Sequence, residues 1–205
     1  MTAHIAPTRR HLDAPEWVHL VLVISTLATL WCAGYIYLGD AIAAPVIVAG
    51  ALALVGWRAV TYGTVPSPTL FPVYILALVA LQVNVLEKWM GGYAAMLLSV
   101  FPDAFVAPSI VFDGSIFVAI FGPGAAALFL WASLGLFLGH PLGAYMAWAL
   151  FVWSIFEGLM PVALSLASNE LLYVPGMATG VLPLAAGVYG IARLFRDSRQ
   201  FHAAR

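Results

Sequence analysis

Apolar residues fill this chain in runs of about twenty, broken by short clusters of glycine, proline and charge. A run of that length is what a helix needs to cross a hydrocarbon core roughly 30 Å thick. The bilayer interior offers backbone groups no water, so spanning segments must close their hydrogen bonds internally, and none of these runs alternates as barrel strands do. The pattern predicts an all-α integral membrane protein with helices over 17–38, 41–60, 69–90, within 109–138, 142–166 and 175–194: six spans in one bundle, with five to seven compatible. Gly39-Asp40 turns the first hairpin, Thr61 to Pro68 reads as a loop by its turn residues, and Gly91-Gly92 ends the third helix. Residues 93–108 are too short and too interrupted by Pro102, Asp103 and Pro108 to span, which predicts an interfacial or re-entrant segment. The regular part of the fourth span is expected after Gly122-Pro123-Gly124.

Composition strengthens this picture. Of 205 residues, 63% are hydrophobic and 8% charged, with a mean hydropathy of +1.00, whereas soluble domains carry about 25% charge. Three regions follow: a polar N-terminal segment over 1–16, a transmembrane domain over 17–196 and a basic tail over 197–205. The first apolar run is too long for a signal-peptide core and reads as a retained helix. Arg9, Arg10, Arg58, Arg193, Arg196, Arg199 and Arg205 all fall on one side of a six-helix topology. The positive-inside rule then makes both termini cytoplasmic and the protein a resident of the cell (inner) membrane. Only Lys88 dissents. A net charge of −1 without a basic patch gives no reason to expect a nucleic-acid partner. Cys32, alone in an apolar run, reads as a small buried hydrophobe.

On that topology Glu87, Asp103, Asp113, Glu157 and Glu170 gather in the outer half, with Asn84 and Lys88. A carboxylate in a spanning helix costs roughly 2.5–3.5 kcal/mol on insertion scales, so it faces the bundle interior or a wet cavity and has a partner. Glu87 and Glu157 are the sharpest candidates, with Asn84 one helical turn from Glu87 on the same polar face. Ser154 and Pro161 share the face of Glu157, and Trp153 precedes it by one turn. A buried carboxyl is pushed toward its protonated form, which suits a general acid. Blander readings compete. Glu87 beside Lys88 fits an interfacial pair whose lysine snorkels outward, Glu157 fits a structural hydrogen bond, and Asp103, Asp113 and Glu170 fit solvated loops or caps. Trp89, Tyr93 and Tyr173 suit an interfacial belt, or, with Trp153, Asp103 and Asp113, the wall of a substrate site. The five histidines are dispersed, and no zinc spacing, nucleophile elbow, phosphate loop or dinucleotide fingerprint occurs, so neither metal nor cofactor is expected.

The segment Leu81-Gln82-Val83-Asn84-Val85-Leu86-Glu87-Lys88-Trp89-Met90-Gly91-Gly92, followed by Phe101-Pro102, resembles the signature helix of the bacterial HXXEE-domain membrane family. Tyr173-Val174-Pro175-Gly176-Met177-Ala178-Thr179 is similar to the opening of that family's final helix. The resemblance covers roughly residues 70 to 196. Asn84 stands at the family's histidine position, Glu87 at its first glutamate and Lys88 at its second, and the likeness implies a fold more than an activity.

The leading expectation is an intramembrane enzyme whose buried carboxyls, Glu87 and Glu157, move protons on a lipophilic, isoprenoid- or sterol-like substrate, in isomerisation or cyclisation. Membrane sterol isomerases and small membrane terpene cyclases offer the chemical analogy, since aromatic walls stabilise a carbocation. Two other classes compete: a non-enzymatic membrane subunit or lipid-binding scaffold, alone, as a homo-oligomer or in a larger membrane complex, and a proton- or cation-coupled carrier.

Overall fold

A computed structural model describes residues 18–26, 28, 40–62, 64, 67–100, 119–167 and 173–203. Helix α1 covers 18–26. Helix α2 (Asp40–Gly56) runs on through a π-helical turn at Trp57–Thr61, α3 is Leu70–Met90, and α4 is the short Tyr93–Val100. Helix α5 occupies Ile120–Phe137, α6 Pro141–Ala167 and α7 Met177–Ala203. Among the described residues there is no strand. Five helices are long and apolar enough to cross a membrane, and they pack as one bundle, so the protein is an integral membrane protein with a lipid bilayer around it.

The expected boundaries hold closely for α3 and α6. The first turn of α5, Ile120–Gly124, is wound as a π-turn around Pro123, whose missing N–H and bulky ring disfavour an ordinary turn. Regular α-helix begins at Ala125. The largest difference is α7, which continues to Ala203 rather than stopping at Leu194. Nothing breaks it there: Arg193-Leu194-Phe195-Arg196 has neither glycine nor proline, and long polar residues are good helix formers in water. Asp103, Asp113, Glu170 and Cys32 lie outside the described residues.

Helix α7 is the axis of the packing. Asn84 of α3 meets Thr179 while Thr69, just before α3, meets Arg193; Gly158 of α6 meets Gly180 while Trp148 meets Phe195. Thus α3 and α6 run parallel to each other and antiparallel to α7. Between α6 and α7 the backbones nearly touch. A Cβ on Gly158 would lie 2.4 Å from the Gly180 carbonyl oxygen, and one on Gly187 would lie 2.5 Å from that of Phe151. Small residues at such a seam matter because lipid supplies no hydrophobic drive to bring helices together. The centre is filled by Trp57, Tyr74, Leu81, Leu150, Phe151 and Leu194. At one end the elements are tied by polar bonds: Trp148 Nε1 donates to Thr61 Oγ1 (3.0 Å), and Ser198 Oγ donates to the Val60 carbonyl (2.5 Å). Leu76, Val79, Trp131, Phe137 and Val181 are exposed, as side chains facing acyl chains should be.

Candidate functional site

Most of the chemistry lies where the end of α3 meets the start of α7 and the middle of α6. Four residues apart on α3, Asn84 and Lys88 point inward and are 0% and 1% exposed. Between them Glu87 is only partly buried. Adjacent residues on a helix point about 100° apart, so Glu87 and Lys88 serve different neighbours.

Glu87 reaches the first turn of α7. Its Oε1 accepts from the backbone N–H of Gly176 (2.9 Å) and Ala178 (3.3 Å), and its Oε2 from the N–H (2.7 Å) and hydroxyl (2.5 Å) of Thr179. The Tyr173 hydroxyl also donates to Oε1. The first N–H groups of a helix have no partner within it and carry partial positive charge, so a carboxylate there satisfies donors that lipid cannot. Bound to Glu87, the Tyr173 hydroxyl gives up its proton less readily than an ordinary tyrosine. Asn84 completes the tie: its Nδ2 donates to the Gly176 carbonyl (2.8 Å) and to Thr179 Oγ1 (3.1 Å). Gly176 sits at φ +96°, and a Cβ there would lie 2.6 Å from Lys88 Cε, so both its backbone and its neighbour require glycine.

Lys88 turns the other way. Its ammonium pairs with Glu157 Oε2 on α6 in a bridge whose side chains are 2% and 11% exposed, and it lies 4.9 Å from the centre of the Tyr93 ring. The interfacial, snorkelling lysine is therefore corrected: Lys88 is buried, and its partner is a carboxylate far away in sequence. Tyr93, 5% exposed, is likewise a wall of this ion pair rather than a member of a surface belt. Trp89 (52%) and Tyr173 (63%) are exposed as expected of belt residues. Trp153 stacks on Phe121 at 6.1 Å and 7° between ring planes. Two polar atoms in this region are buried without a hydrogen-bond partner: Asn84 Oδ1, and Ser154 Oγ one turn before Glu157.

The structure thus brings together Asn84, Glu87, Glu157, Tyr93 and Tyr173. It adds Lys88, Gly176 and Thr179, none of them a candidate site residue from the sequence. Lys88 carried a usable signal, because a lone cation that breaks the positive-inside pattern needs a buried counter-charge, and Glu157 was the mid-helix carboxylate lacking one. Among the described residues no three His, Cys, Asp or Glu side chains converge to hold a metal ion. Comparison with protein-family models, characterised proteins and solved structures finds no match to this chain, so its own side chains are the guide to its function.

Proposed function

We propose that the protein is a non-enzymatic membrane subunit or lipid-embedded scaffold, in which the polar junction is the clamp that fixes the last two helices against the third. One observation carries this reading: the Glu87 carboxylate takes five donors from the segment 173–179. A group so engaged holds helices together and has little left to offer a substrate. Glu157 is engaged in the same sense by Lys88. The basic ends of the helices favour an inner-membrane orientation with cytoplasmic termini.

A second reading keeps the intramembrane isomerase or cyclase. What favours it is the pair of orphaned polar atoms, Asn84 Oδ1 and Ser154 Oγ, because a buried polar atom without a partner calls for an explanation, and a role at a working site is one. Glu157, paired with Lys88, would then be the proton-handling group on a lipophilic substrate. The two readings part on Glu157→Gln, which leaves the Lys88 charge without its counter-ion. A scaffold predicts a lower unfolding midpoint for the purified protein and an unchanged lipid and isoprenoid profile in membranes carrying the variant. A variant as stable as the wild type whose membranes show a changed lipophilic product profile would replace the scaffold reading with the enzymatic one.

A further inference from the structure

The outer face of α7 carries a different feature. Val181, Leu184, Ala185, Val188, Tyr189 and Ala192 line a shallow apolar groove along its outer face. The same helical spacing of three and four residues carries this face onward to Arg196 and Arg199, both exposed. From Val181 to Ala192 the groove runs about 16 Å at a rise of 1.5 Å per residue. That is half of a hydrocarbon core of roughly 30 Å, the depth of a single leaflet. Two guanidinium groups therefore stand where such a groove meets the membrane surface.

Among the described residues, Arg196 and Arg199 have a single carboxylate near them. Asp197, the one carboxylate there among the described residues, is turned away: its Oδ2 accepts from the Ser67 N–H (3.2 Å), and its Oδ1 lies 4.0 Å from Arg193. The bond from Ser198 to Val60 brings the end of α2, with the exposed Arg58 held over the Tyr62 ring, to the same surface. Arginine forks match phosphate oxygens in a bidentate manner, and basic clusters flanking a span attract anionic headgroups.

We infer that the outer face of α7 is a binding site for one anionic phospholipid, with an acyl chain along Val181, Ala185, Val188 and Ala192 and its phosphate on Arg196 and Arg199. The arginines lie at the opposite end of α7 from Glu87, and the site does not depend on the role of the polar junction. The test uses the full-length protein in phosphatidylcholine vesicles containing spin-labelled phosphatidylglycerol or spin-labelled phosphatidylcholine, with the immobilised fraction of each read by electron paramagnetic resonance. The wild type selects the anionic lipid, and R196Q/R199Q loses that selectivity by about 5-fold or more, the contribution of at least one near-surface arginine. Ala185→Trp, which fills the groove and leaves the charge alone, lowers retention of phosphatidylglycerol. Equal selectivity in the wild type and R196Q/R199Q overturns the proposal. So does unchanged retention in Ala185→Trp, which would mean a diffuse electrostatic attraction. Displacement of the spin-labelled lipid by millimolar inorganic phosphate would equally overturn it, by making this a site for the free anion.

Discussion

Two cation–carboxylate pairs among the described residues have similar chemistry and different reach. Lys88–Glu157 joins residues far apart in sequence, with side chains 2% and 11% exposed. Arg193–Asp197 joins neighbours one turn apart on α7, at 4.0 Å, near the end of the bundle. In the first pair, removing one partner strands a charge where neither water nor lipid can solvate it, so the pair is indispensable once formed even if forming it gains little. In the second, the side chains are 20% and 10% exposed and the contact is a long one, and each partner has another bond, Arg193 to Thr69 and Asp197 from the Ser67 N–H, so losing one does not strand the other. The lesson concerns reach and alternatives more than burial: the first pair dictates which helices meet, whereas the second lies within one helix and leaves both partners with other bonds.

The largest effect should come from breaking the buried pair. Glu157→Ala is expected to cost about 3–5 kcal/mol, the usual penalty for leaving one buried charge unpaired, read as a fall in the unfolding midpoint in nanodiscs. Replacing both residues, as Lys88→Met with Glu157→Leu, should recover most of that loss. A double variant no better than the single one would mean that the pair is more than a counter-charge.

Glu87→Gln should come next. The amide keeps one acceptor oxygen but presents an NH2 to donors that the other oxygen now serves, so a charge-assisted bond worth about 1.5–3 kcal/mol is lost. Because those donors belong to residues 173–179, the loss should appear as faster amide hydrogen exchange in the first turn of α7 and not in α6. Uniform exchange across both helices would show that the two ties act as a single unit. Asp197→Asn should be smallest, about 0.5–1.5 kcal/mol, because an amide oxygen can still accept from the Ser67 N–H and the pair with Arg193 is long at 4.0 Å. A loss larger than that for Glu87→Gln would overturn the comparison.

The two ties also differ in how readable they were. Run length and the spacing of glycine and proline were enough to delimit α3 and α6, because bilayer thickness fixes helix length. The expense of charge in hydrocarbon was enough to single out Glu87 and Glu157. Local sequence could not say that neighbours on α3 would part company, with Glu87 going to α7 and Lys88 to α6. That division depends on which helices flank α3, and therefore on the glycine seam that lets α6 and α7 approach along Gly158, Gly180 and Gly187. The continuation of α7 to Ala203 was hidden for a related reason: hydropathy marks where a helix leaves the membrane, not where its hydrogen bonding stops. Sequence by itself determined that this is a helical membrane protein with carboxylates too costly to be idle. Tertiary structure alone decided their partners, because an ion pair across the bundle is specified by packing geometry, and packing is a property of several helices at once.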